Sequence, residues 1–139
     1  MSLYVLDTDI LTHYQRGQPA VVRHVLAHPP AELAVTIISL EEELTGWYTK
    51  LRRAKKREQL AKAYQQLTEA VQYMAQFQIL SFTEPAIVRY EQLRLAHRNL
   101  GKNDLRIAAI VLEHGGILAT ANIRDFRRIP GLQIEDWSK

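Results

Sequence analysis

Four acidic residues of this chain each stand at the border of an apolar run. Leu3-Tyr4-Val5-Leu6 leads into Asp7, and residues 33–38 lead through Ser39 to Glu42. Asn103-Asp104 opens an apolar helical pattern, and Ile117-Leu118-Ala119-Thr120 leads through Asn122 to Asp125. In an open parallel sheet the carboxyl ends of the strands and the starts of the helices that follow gather along one edge, where ligands bind. Carboxylates far apart in sequence can therefore meet there. Several of them without balancing bases repel one another, and a hard divalent cation such as Mg²⁺ or Mn²⁺ is the usual way to hold them together. The pattern thus points to a metal site for chemistry on phosphodiesters.

The elements needed to bring those acids together are legible in outline. Residues 3–6 form a short β-favouring run, and Asp7-Thr8-Asp9 supplies helix-capping side chains. A helix ends near Arg16-Gly17, and Pro19 suits the first turn of another that Pro29-Pro30 stops. Residues 33–38 read as a buried strand. Ser39 is the expected cap of a long helix, with Glu42 at capping-box spacing and Leu40, Leu44, Trp47, Tyr48 and Leu51 as its buried stripe. A helix over roughly 58–76 has Leu60, Ala63, Tyr64, Leu67, Val71 and Met74 at helical spacing. These two make a helical hairpin over about 40–76. Residues 77–82 read as a strand, Thr83 caps a helix to about Arg98, and Asn103 or Asp104 starts another, closed by Gly115-Gly116. Residues 117–120 form a strand, and 132–134 a final edge strand. The alternation is that of an α/β protein with a mostly parallel central sheet flanked by helices. No repeat or linker divides residues 1–139, so one domain is expected.

Composition narrows the function. The 139 residues are 47% hydrophobic, which suits a folded globule, and contain no cysteine, which excludes disulfides, thiolate zinc sites and thiol catalysis. No apolar stretch approaches the ~18 residues of a membrane span, and the N-terminus lacks a signal-peptide pattern, so a cytoplasmic protein is expected. The net charge of +3 is unevenly spread. From Lys50 to Arg57, six of eight residues are basic (Lys50, Arg52, Arg53, Lys55, Lys56, Arg57). An acidic focus beside a basic arm suits a polyanion held near a metal centre. The five histidines show no ligand spacing, and neither G-x-G-x-x-G nor G-x-x-x-x-G-K occurs. A phosphoacceptor signalling domain would want a lysine after a late strand, whereas none follows Thr120 until Lys139.

With these segments in view, a family resemblance emerges. Val5-Leu6-Asp7-Thr8-Asp9, Ser39-Leu40-Glu41-Glu42-Glu43-Leu44-Thr45-Gly46, Asn103-Asp104-Leu105-Arg106-Ile107-Ala108-Ala109 and Leu118-Ala119-Thr120-Ala121-Asn122-Ile123-Arg124-Asp125-Phe126 look like the four acidic motifs of PIN domains. The closest likeness is to VapC toxins of bacterial toxin–antitoxin pairs, in the family's order and over nearly the whole chain. The resemblance implies a PIN-like three-layer fold and an endoribonuclease with Mg²⁺ or Mn²⁺ in an acidic pocket. It also implies a homodimer silenced by a small antitoxin. Carried over residue by residue, it makes Asp7, Glu42, Asp104 and Asp125 the metal-binding and catalytic set. Among three adjacent glutamates, Ser39 three residues before and Gly46 four after select Glu42, and a helix turns Glu41 and Glu43 about 100° aside. Asp9 departs from the family's frequent Asn, either adding charge to the site or capping the helix. Asn122 stands where many other PIN domains carry an acid.

On that reading Asp7 and Asp104 are the principal ligands, Glu42 binds the metal directly or through water, and Asp125 orients the water or a second ion. Thr8, Ser39, Thr120 and Asn122 hold the carboxylates. The products would carry 5′-phosphate and 3′-hydroxyl ends. Lys50 to Arg57 would steer an RNA strand, with Arg106, Arg124, Arg127 and Arg128 nearer the cut, and an exposed single-stranded loop is the expected target. Taken singly, Asp7 or Asp104 reads as a helix cap, the basic run as a solvated face, and Trp47, Tyr48, Tyr64 and Tyr73 as core or dimer interface. The alternative function is a PIN-fold module that binds RNA or a partner without cutting.

Overall fold

A computed structural model describes residues 2–139. Five short strands, β1 (Tyr4–Leu6), β2 (Leu33–Thr36), β3 (Gln78–Leu80), β4 (Ile117–Thr120) and β5 (Gln133–Asp136), form one sheet in the order β3-β2-β1-β4-β5. Every neighbouring pair is parallel. β1 pairs with β2 on one side and β4 on the other, with Val5 opposite both Ala34 and Leu118. The chain therefore reverses its winding direction around β1, and the carboxyl ends of β1, β2 and β4 open onto the same crevice.

Seven α-helices flank the sheet: α1 (Thr8–Gln15), α2 (Pro19–Leu26), α3 (Ile37–Arg53), α4 (Arg57–Met74), α5 (Glu84–Ala96), α6 (Lys102–His114) and α7 (Ile123–Phe126). Successive strand residues face opposite sides, and this alternation makes two cores. Val5, Ala34 and Leu118 point to one side, where they meet Ile38, Leu105, Ile107, Ile110 and Phe126. Leu6, Leu33, Val35 and Ala119 point to the other, against Ile10, Leu11, Val21, Met74 and Trp137. Helix, sheet and helix form three layers. α6 is the most deeply set helix in its middle, with Ile107 through Val111 buried in succession, and Gly115 ends it in the left-handed region at φ 61°, where a side chain would be strained.

The α/β class, the parallel sheet and the order of elements match the sequence reading, and four local expectations need correcting. The second strand stops at Thr36, not at residue 38. Thr36 rather than Ser39 caps α3, its hydroxyl accepting from the Ser39 N–H at 3.2 Å. The β-branched pair Ile37-Ile38 looks like strand but forms the first helical turn, turning Ile38 and Ser39 inward. In the hairpin the buried residues of α4 are Ala63, Ala70 and Met74, while Leu60, Tyr64 and Val71, together with Tyr48 of α3, remain exposed. Helix α6 begins at Lys102 with Gly101 as its cap, which puts Asp104 inside the first turn rather than at the border.

Candidate metal centre

Asp7 leaves β1 at its carboxyl end and caps α1. Its Oδ1 accepts the Ile10 N–H at 2.9 Å, and the Thr120 hydroxyl at the end of β4 donates to the carboxylate. Only 5% of Asp7 is exposed. Burial pushes its carboxyl up from 3.8 to about 6, the bonds from Thr120 and Ile10 oppose that rise, and the charges of Asp9 and Asp104 add to it. Asp104 projects from the first turn of α6. It too is raised, first by burial and then by the charges of Glu42, Asp9 and Asp125. Asp104 thus sits in the field of Glu42, Asp125 and Asp9, and Asp7 in that of Asp9 and Asp104, although these acids come from the end of β1 and from α1, α3, α6 and α7.

The side chains around them are held by hydrogen bonds. The Thr8 hydroxyl donates to Glu42 Oε1 at 2.8 Å and lies 2.9 Å from the Ser39 hydroxyl. The three adjacent glutamates diverge, as a helix requires: Glu42 meets Thr8, Glu43 accepts from Thr12 at 3.3 Å, and Glu41 lines a groove toward Arg106 and Phe82. Asn122 caps α7 and clasps Asp125 twice. Its Oδ1 accepts the Asp125 N–H at 3.3 Å, and its Nδ2 donates to Asp125 Oδ2 at 3.1 Å. The Asn122 N–H in turn donates to Thr120 Oγ1 at 2.9 Å, so one threonine braces both Asp7 and Asn122. Asp9 is the member that the four-motif reading left undecided: Asp7 is the cap, and Asp9 spends its charge on the site.

Among the described residues no three His, Asp or Glu side chains close up into a cage around a single point. The arrangement suits Mg²⁺ or Mn²⁺ nonetheless. Such an ion keeps several waters and takes only one or two carboxylates directly, so a loose cluster of hard oxygen donors around Asp7 and Asp104 is a fitting donor set. Of the basic residues, Arg106 is tied down, donating to Asn103 Oδ1 at 2.6 Å with its guanidinium 5.1 Å from the Tyr90 ring. Arg124, Arg127 and Arg128 are exposed.

A parallel α/β sheet with carboxylates drawn toward its switch point is the class to which this molecule conforms. The chain belongs to the PIN domain family, whose model matches residues 4–132. Among similar proteins, "Ribonuclease VapC1" of Haemophilus influenzae strain R2866 is 29% identical over 143 residues, covering 99% of each chain. The "tRNA(fMet)-specific endonuclease VapC" of Salmonella typhimurium is 25% identical over 141 residues, again covering 99% of each. A toxin–antitoxin complex from Klebsiella pneumoniae contains a chain of the same fold, with TM-score 0.73 and 25% identity over 96% of this chain and 97% of that one. DNA-bound VapBC from Salmonella typhimurium superposes with TM-score 0.77 at 22% identity, over 99% of each chain.

Proposed function

We propose that this chain, as one PIN domain, is a metal-dependent endoribonuclease and the toxin of a toxin–antitoxin pair, acting in the cytoplasm. The observation that carries the reading is the gathering of acids from separate segments: Glu42 is bonded to Thr8 beside Asp7, Asp125 is tied through Asn122 to Thr120, and Asp104 feels the charges of Glu42, Asp9 and Asp125. The names of relatives matching over 99% of their length, VapC ribonucleases and a VapC endonuclease, support the nuclease assignment. A module that merely binds would gain nothing from holding Asp7 at the cost of its burial.

A bound Mg²⁺ or Mn²⁺ supplies a hydroxide near neutral pH and neutralises charge on the phosphate oxygens. The chain's own work is to place the ligands and the substrate. Asp7 and Asp104 are rigidly set, one by its two hydrogen bonds and the other by the turn of a buried helix, and serve as the principal ligands. Glu42 is aimed by Thr8. Asp125, held by both atoms of the Asn122 amide, is fixed to orient a water or to hold a second ion. The exposed apolar side chains of the hairpin (Leu60, Tyr64, Val71) and of α5 (Ile87, Val88, Leu95) offer surface for a small antitoxin and a second copy of the chain. No helix among the described residues is long and apolar enough to cross a membrane.

The test is cleavage of a transfer-RNA fraction by the purified chain, since one relative bears a tRNA-specific name. Cutting is expected with Mg²⁺ or Mn²⁺, none with EDTA, and a loss of at least a hundredfold for Asp104→Asn with an unchanged circular dichroism spectrum. Metal-independent cutting, or an Asp104→Asn chain as active as the parent, would remove the acidic pocket from the reaction.

A further inference from the structure

Two grooves run along α3 and meet at Lys50, the nearer one starting beside Glu42 of the acidic cluster. The first, about 450 Å³, begins at Thr8 and Glu42 and ends at Trp47 and Lys50. The second, about 330 Å³, takes up at Lys50 and continues past Arg53 to Lys62 and Gln66 of α4, with no carboxylate in its wall. Trp47, Lys50 and Arg53 recur every three residues and therefore lie along one side of α3, about 4.5 Å apart along its axis. Trp47 is half-buried, and its indole face carries the Lys50 ammonium 4.5 Å from the ring centroid.

We propose that this continuous groove is the track of single-stranded RNA leading away from the cut, with a nucleobase stacked on Trp47 and the backbone phosphates on Lys50, Arg53 and Lys62. The proposal rests on the nuclease reading above and adds the path of the strand to it. Indole is a sequence-tolerant stacking platform, and a flexible lysine already seated on the ring is placed to yield the face to a base and turn its charge to the neighbouring phosphate. The charge of the far groove favours a polyanion over an acidic or neutral peptide. It also divides the basic run: Lys50 and Arg53 face the track, while Arg52, Lys56 and Arg57 lie outside its lining.

The probe is a 12-nucleotide single-stranded RNA of mixed sequence, titrated into the full chain carrying Asp104→Asn so that it is not cut. Of the two tryptophans, Trp137 is fully buried and out of reach of a bound strand, so an RNA-dependent change in indole emission reports on Trp47. RNA is expected to quench that emission. Trp47→Leu should weaken binding about tenfold, with Trp47→Tyr recovering most of the loss. Lys50→Gln/Arg53→Gln/Lys62→Gln should lower the salt slope of log affinity by about 2, whereas Arg52→Gln/Lys56→Gln/Arg57→Gln should leave it in place. The same groove changes on the parent background should raise the KM for RNA cleavage more than they lower kcat. Unaltered affinity and slope in the groove variants, while the parent still cuts RNA, would overturn the track and assign the groove to a protein segment. A parent chain that neither binds nor cuts RNA would bring down the nuclease reading and the track with it.

Discussion

Asp7 combines two roles that oppose each other. As the cap of α1 it bonds the Ile10 N–H, yet its carboxyl is almost sealed from solvent beside Asp9 and Asp104 and is pushed up to about 6. A carboxylate whose folded-state value is raised makes the folded state bind more protons than the unfolded one, so stability falls as pH rises from about 4 to about 6 and stays low above. Two pH units correspond to about 3 kcal/mol. Asn in that place keeps an oxygen for Ile10 and carries no charge. Asp7→Asn is therefore expected to raise the melting temperature in EDTA at pH 7.5, to lose its advantage near pH 4, and to be inactive. Mg²⁺ should close that difference by binding the ionised form of the parent. A melting temperature that drops at pH 7.5 on this substitution would show that the carboxylate stabilises the fold and is not kept at a cost for binding.

At the scale of elements, strong periodicity and border residues gave most of the architecture, and the misplacements have local causes. The cap Asp7, the stop at Pro29-Pro30, the cap Thr83 and the closure at Gly115 sit where side-chain chemistry demands. At the start of α3 the sequence is ambiguous, because Ile37 and Ile38 are β-favouring while two hydroxyl residues, Thr36 and Ser39, both suit a cap. Tertiary packing decides, since Ser39 is needed inward against Thr8. The buried stripe of α4 is hidden in the sequence because alanines at 63 and 70 carry little weight in a hydrophobic pattern, although both are buried. The assignment of the cap is open to measurement. Thr36→Val removes the acceptor for the Ser39 N–H and should cost about 1–2 kcal/mol in urea unfolding. Ser39→Ala should cost less in stability and more in activity, because it removes only the contact that steadies Thr8 beside Glu42. Equal stability losses in the two would return the cap to Ser39.

At the scale of the whole molecule, five strands in one direction with a winding reversal at β1 make the site possible, because each acid arrives on a different element at the same edge. The order of four weak motifs places the acids on that edge and names Asn122 among the residues that hold them, whereas which of Asp7 and Asp9 caps α1, and that Asn122 clasps Asp125 rather than another acid, depend on turns at α1 and α7 that no periodicity encodes. The C-terminal end closes the account of the fold: Trp137 is fully buried and stacks on His24 and His28 with ring centroids 5.1 and 5.4 Å away, fastening the edge strand β5 to α2. The central claim, that the four acids hold a hard divalent cation, is tested most directly by anomalous diffraction from crystals soaked in Mn²⁺. A peak is expected about 2.1 Å from oxygens of Asp7 and Asp104, with Glu42 and Asp125 at that distance or one water removed. A soaked crystal with no peak in the pocket, or with manganese bound elsewhere while the four carboxylates stay in place, would contradict it.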